Sequence, residues 1–314
     1  MVNASCCAIY YAAMNNIILL VTCFIAGILL RRFGRMPEHA PATLNSFVIH
    51  VSLPALALLY IHDLKLSGDV AFIAAMAWIH FALAAGFFWQ AGKWLGLPRP
   101  TVGALMLTGG LGNTSFLGLP MIEAYYGKEA IVTGLIADQL GSFLVLSILG
   151  ITVAGLYSSG APSARAILRR IVLFPPFVAL LLSLALIPVD YPEWFTLLLR
   201  RLGDTLAPLA LLSVGLQLRL GHIAGNGRNL ALGLGFKLLL APLAIFLLYV
   251  PLLGASGQHI QVTLFEAAMP PMITAAIVAA EHDLDPVLAN LMVAVGLILS
   301  FFTLTGWWWV MRGV

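Results

Sequence analysis

Three ionisable side chains and one amide interrupt stretches otherwise built of apolar residues: Asp138, Lys237, Glu266 and Asn113. An unpaired charge inside hydrocarbon costs roughly 3 kcal/mol or more, so each is a candidate for chemistry. Glu266 stands four residues before Pro270. It can ligate Na⁺, carry a proton, or be a buried carboxyl hydrogen-bonded to its neighbours. Asp138, with Gln139, Ser142 and Thr133 around it, can complete a cation or proton site or pair with Lys237. Lys237 can neutralise a bound carboxylate or form a structural pair with Asp138 or Glu266. Asn113 offers two donors and an acceptor, either to a solute or to backbone freed by a broken helix. The oxygens of Asn113, Asp138 and Glu266 together suit Na⁺. Glu123 is expected to line a vestibule and Asp204 to support helix packing. His50 and His80 read as hydrogen-bonded packing residues, although the histidine side chain is a proton carrier near neutrality in general.

These residues lie in a chain composed for a bilayer. Of 314 residues, 61% are hydrophobic and 9% charged, against about 25% charged in soluble domains. The net charge of +3 is scattered and points to no nucleic-acid surface. Cys6, Cys7 and Cys23 show neither disulfide nor metal spacing. No basic region precedes the first apolar run, so a cleaved signal peptide is not expected.

The apolar runs predict an all-α membrane protein of ten transmembrane helices: 13–30, 42–62, 69–90, 101–126, 129–157, 167–187, 194–217, 229–250, 258–281 and 286–309. Residues 1–12 form a lead-in. One set of loops carries ten Lys/Arg (Arg31, Arg32, Arg35, Lys93, Arg99, Arg165, Arg169, Arg170, Arg219, Arg228) and the other five (Lys65, Lys128, Arg200, Arg201, Arg312). The basic set marks the cytoplasmic side and puts both termini outside. Trp307–Trp309 reads as an interfacial belt.

Ten spans divide into a first repeat, 13–157, and a second, 167–314, joined by a linker at 158–166; an odd number in each half inverts the second. "LPALALL" (53–59) resembles "APLALLS" (207–213), and "PMI" recurs at 120–122 and 271–273. The offsets agree closely, 154 residues from Pro54 to Pro208 and 151 from Pro120 to Pro271. Inverted repeats of this kind mark secondary transporters.

Two spans carry helix breakers at matching places. The stretch "GGLGNTSFLGLPMIEAYYG" (109–127) holds glycines and Pro120; span nine holds Pro270 and Pro271. Proline removes a ladder hydrogen bond, and the freed backbone must find partners within the protein or a wet cavity. New half-helix N-termini favour an anion, and C-terminal carbonyls a cation. Paired breaks therefore mark a binding site, whereas a proline in either span alone also fits a simple kink. There is no His-Glu-x-x-His, nucleophile elbow or phosphate loop, so an enzyme is not expected. A channel stays open, because interrupted helices also line pores.

Four segments resemble the auxin efflux carrier family of plant carriers and bacterial permeases. "GNTSFLGLPMIEAYYG" (112–127) is similar to that family's fourth span, "LNSFVIHVSLPALAL" (44–58) to its second, "FKLLLAPL" (236–243) to its eighth and "EAAMPPMITAAIVAAEHDLDP" (266–286) to its ninth. The resemblance implies a fold shared with bile-acid symporters and sodium/proton antiporters, with helices 4 and 9 broken and crossing. It implies a scaffold of spans 1, 2, 6 and 7, also the homodimer contact, and a transport domain of spans 3–5 and 8–10. The expected activity is elevator-type transport of a small organic anion, a carboxylate or an auxin-like acid. The alternatives are an Na⁺- or H⁺-coupled symporter of another solute, or an anion channel. Asn113, Thr114, Pro120, Pro270, Pro271 and Met272 would form the substrate site, with Glu266, Asp138, Lys237 and Gln139 in coupling or charge pairing. The linker is too short to hold the hydrophilic regulatory loop of many plant members. Where plant-type anion carriers tend to have an uncharged residue, this chain has Glu266. No cofactor is implied beyond Na⁺ or H⁺.

Overall fold

The computed structural model describes residues 18–19, 21–62, 69–158, 164–218 and 225–314. The expected lead-in, Cys6, Cys7, Lys65, most of the 158–166 linker and Arg219 lie outside them. Every named element among the described residues is a helix. In chain order these are α1 (21–32), α2 (Ala40–Tyr60), α3 (Asp69–Leu95), α4 (Arg99–Gly110), α5 (Leu119–Tyr126), α6 (Lys128–Tyr157), α7 (Ala164–Val172), α8 (Pro175–Ala185), α9 (Glu193–Gly203), α10 (Leu206–Gln217), α11 (Gly227–Leu252), α12 (Gln258–Ala267), α13 (Ile273–Glu281) and α14 (Pro286–Met311).

Five of them, α2, α3, α6, α11 and α14, have 21 to 30 residues and the apolar content to cross a membrane. At 1.5 Å per residue, the 26 residues of α14 reach about 39 Å, beyond a hydrocarbon core of about 30 Å. The remaining expected spans come in pieces. α4, α12 and α13 have 12, 10 and 9 residues, each under about 20 Å. Expected spans six and seven are also divided, at Leu173–Phe174 ahead of Pro175 and Pro176, and at Asp204–Thr205.

The chain separates into two compact units. One comprises the described residues of Met1–Leu66 with Ser115–Leu135 and Leu173–Leu218. Here α1 and α10 approach backbone to backbone: a Cβ at Gly27 would lie 2.3 Å from the Leu212 carbonyl oxygen, and one at Gly215 2.3 Å from that of Phe24. Small residues allow such contact where lipid offers no hydrophobic drive for association. Ser52 and Thr205 share a hydrogen bond of 2.7 Å, and Ser213 donates to Asn45 at 2.5 Å. Lys128 lies 2.9 Å from Asp204 and 3.7 Å from Glu123. Asp204, expected to serve packing, is thus an exposed ion-pair partner.

The other unit comprises the described residues of Ser67–Thr114, Ile136–Val172 and Arg219–Val314. Its core joins Ala84 and Phe88 of α3, Leu105 and Met106 of α4, Leu234 and Phe236 of α11, and Leu288 and Met292 of α14. Phe87 stacks on Phe236 at 4.7 Å, and Phe88 meets it edge-on at 4.9 Å. Asp285 caps α14 by accepting from the Leu288 N–H, and also accepts from Thr101 at 2.8 Å.

Candidate functional site

The site lies wholly within the second unit and is built on two interrupted helices. α4 ends at Gly110 and Leu111 turns extended, with φ −118° and ψ 127°. α12 ends at Ala267, and α13 begins only at Ile273, after an extended Met272. The intervening segments bond to each other. Gly112 and Pro271 form an antiparallel bridge; the Asn113 N–H donates to the Pro270 carbonyl at 2.8 Å, and the Met272 N–H to the Leu111 carbonyl at 3.0 Å. Each break therefore satisfies part of the other's freed backbone, as hydrocarbon requires. Gly296 of α14 makes room for this bridge: a Cβ there would lie 2.7 Å from Pro271 Cδ.

The breaks also leave carbonyls that helix geometry cannot serve. In a continuous helix the Gly109 carbonyl would accept from the Asn113 N–H, which here goes to Pro270. Pro270 and Pro271 lack the N–H groups that Glu266 and Ala267 would need. Glu266 recovers the Met269 N–H at 3.2 Å. Side chains serve the other two. His80 Nε2 lies 3.2 Å from the Gly109 oxygen, Lys237 Nζ donates to Ala267 at 3.3 Å, and the two nitrogens are 3.3 Å apart.

Beside them lies a cavity of about 10 Å³, room for one water-sized species. Its polar lining comes from His80, Thr114, Ser142, Lys237 and Glu266, with Gly112 at the bridge. Glu266 is 1% exposed, and neither carboxyl oxygen has a hydrogen-bond partner among the described residues. Thr114 donates to Asp138 Oδ1 at 2.5 Å and Gln139 to Oδ2 at 2.6 Å. Gln139 leaves its own Oε1 without a partner.

Five of these polar groups ride on widened π turns: Thr114 opens Thr114–Gly118, Asp138, Gln139 and Ser142 lie in Ala137–Ser142, and Lys237 lies in Phe236–Leu240. Such turns disturb the regular ladder and often accompany functional sites.

The structure brings together Asn113, Thr114, Asp138, Gln139, Lys237, Glu266, Pro270, Pro271 and Met272 within one unit. Two expectations need correction. Pro120 does not make the first break. That break is at 111–113, while Pro120 sits in the first turn of α5, in the other unit, where its missing N–H is tolerated. The wide Thr114–Gly118 turn just before it leaves room for the ring. Lys237 pairs with neither Asp138 nor Glu266; its ammonium is turned to His80 and the Ala267 carbonyl. His80, read from sequence as packing, is a member of the site. The signal was available: His80 and Lys237 are 157 residues apart, close to the repeat offset. No group of three or more His, Cys, Asp or Glu suited to a metal occurs among the described residues.

Known proteins similar to the chain are membrane transporters. The family model described as "Membrane transport protein" matches residues 11–308. The chain is similar to an uncharacterized transporter of Methanothermobacter thermautotrophicus, 29% identical over 95% of this chain and 98% of the relative. It is also similar to an uncharacterized transporter of Methanocaldococcus jannaschii, 24% identical over 95% of this chain and 98% of the relative.

Proposed function

The chain belongs to the membrane transport protein family, a transporter rather than an enzyme, and from that premise we propose that it is a secondary carrier of a small organic anion across the cytoplasmic membrane. The observation that carries the reading is the pair of helix breaks bonded through Gly112 and Pro271, beside a buried cavity lined by Lys237, His80 and Glu266. The N-terminal ends beyond the breaks favour a carboxylate, and Lys237 supplies a cation for it. Asn113, Thr114, Pro270, Pro271 and Met272 contact the solute, while Asp138, Gln139 and Glu266 serve the coupling ion.

On this reading, spans 4 and 9 cross at their breaks in two inverted repeats of five. Support comes from the caps. His80 serves a carbonyl 29 residues further on, and Lys237 serves one 30 residues further on. The unit containing the site moves against the other by an elevator step, and the latter provides the homodimer contact. Both termini lie outside, by the bias of basic loops. The test is counterflow in proteoliposomes over mono- and dicarboxylates. Saturable exchange supports a carrier; non-saturating flux without counterflow indicates an anion channel instead. Exchange of a non-acidic solute alone would move the assignment to a coupled symporter of another class.

A further inference from the structure

His80 and Lys237 do more than cap two carbonyls. Nε2 of His80 faces two groups with opposite demands. An ammonium can only donate, and the Gly109 carbonyl can only accept. With a lone pair, Nε2 takes a hydrogen from Lys237. With a hydrogen, it serves Gly109. One nitrogen cannot do both, so its protonation decides which contact exists.

Resting on the carrier reading above, we propose that the His80–Lys237 pair is the coupling-proton site of a proton–anion symport. Before uptake the imidazole is neutral with its hydrogen on Nδ1, and Nε2 accepts from Lys237. The incoming proton forms an N–H bond at Nε2, which then donates to Gly109. Two cations now face each other at 3.3 Å, and their repulsion releases the Lys237 ammonium toward a substrate carboxylate. On the other side of the membrane the proton leaves Nε2, Lys237 returns to it, and the anion is let go.

The surroundings suit this exchange. Lys237 from α11 and Glu266 from α12 line the same cavity as His80, and Asp138 stands on the π turn of α6 that packs on α3, with its carboxylate turned to Thr114 and Gln139. The other ionisable residues of α4 and α12, Arg99 and His259, lie at the opposite ends of those helices. The Ala241–Leu247 stretch and the Phe143–Val145 turn, also packed on α3, carry none. His80 is 2% exposed and Lys237 1%, so no bulk water competes for either bond. Glu266 lines the same cavity, and neither of its carboxyl oxygens has a hydrogen-bond partner among the described residues.

The experiment uses the intact protein in Na⁺-free proteoliposomes with the membrane potential clamped, and a panel of labelled mono- and dicarboxylates. For one proton per anion, a gradient of one pH unit, acid outside, sustains about tenfold accumulation of the transported acid. In His80→Gln, whose amide can reach either partner but takes no proton, the ratio of gradient-driven to gradient-free uptake falls to about one. A wild-type ratio in His80→Gln overturns the proposal, as does an Na⁺ gradient, rather than a pH gradient, driving the wild type. Nitrogen NMR of histidine-labelled protein in nanodiscs gives a readout independent of flux. The resonance lost in His80→Gln changes from acceptor to protonated nitrogen on acidification. In Lys237→Met its Nε2 carries hydrogen throughout. A resonance indifferent to pH and to Lys237→Met overturns the proton site alone. A switching resonance without flux of any anion overturns the carrier reading, and symport with it.

Discussion

Replacing Lys237 by methionine separates a structural lysine from a functional one, because the two roles predict opposite signs of stability. Methionine keeps an unbranched chain of similar length and fills the same buried space. The substitution removes the donor to Ala267, whose carbonyl then has no ladder partner, a loss of about 1–3 kcal/mol. It also removes a 1%-exposed ammonium, whose burial costs several kcal/mol, roughly 3 or more. Removing one partner of a buried ion pair would instead strand a carboxylate, at about 3–5 kcal/mol. Lys237 contacts the His80 ring and a carbonyl rather than forming such a pair. The balance predicts a melting temperature in detergent that is unchanged or raised by a few degrees. Anion transport should nevertheless fall about a hundredfold, the worth of one charge-assisted hydrogen bond of about 3 kcal/mol to the substrate. Thermal unfolding followed by tryptophan fluorescence, alongside counterflow, checks both. A melting temperature lower by about 10 °C, with transport intact in the remaining folded protein, would refute the reasoning and make Lys237 a structural residue.

Asn113→Ala should reduce transport more than Pro120→Ala, because Asn113 is at the bridge and Pro120 is not; initial exchange rates at matched protein density compare them. Gly109→Ala puts a Cβ 2.5 Å from the Phe88 ring and should destabilise by about 1–3 kcal/mol, seen as a lower melting temperature. Asp285→Ala removes the α14 cap and the acceptor for Thr101, at about 1–2 kcal/mol. Asp285→Gly should do less harm, since it also relieves a left-handed φ of 43°. Asp204→Asn breaks an exposed ion pair with Lys128 and should shift stability by under about 1 kcal/mol, by the same melt.

The long apolar helices were legible because composition and length alone identify them: expected 129–157 appears as Lys128–Tyr157, and expected 286–309 as Pro286–Met311. The second break was legible because two consecutive prolines delete two N–H groups whatever surrounds them. The first was misplaced onto Pro120. A lone proline near a helix start costs little, whereas the diversion of the Asn113 N–H to Pro270 depends on a partner 157 residues away. Glu266, Asp138, Thr114 and Gln139 were found because a polar residue among apolar ones is conspicuous. Their pairings were not, since they depend on which helices pack. The sequence leaves Lys237 between a bound carboxylate and a pair with Asp138 or Glu266 and reads His80 as packing, because the contact between the two depends on how α3 and α11 pack. π turns carry no sequence signature, so the widened backbone beneath Asp138 and Lys237 could not have been read.

The central claim, that the paired breaks hold an anion site in a proton-coupled carrier, is tested most directly by one assay. Uptake of labelled mono- and dicarboxylates is measured in proteoliposomes with the pH and Na⁺ gradients varied independently. The account predicts saturable uptake of at least one carboxylate, exchangeable against the same internal acid and driven by acid outside with no need for Na⁺. Flux that does not saturate, or uptake driven by Na⁺ alone, would contradict it.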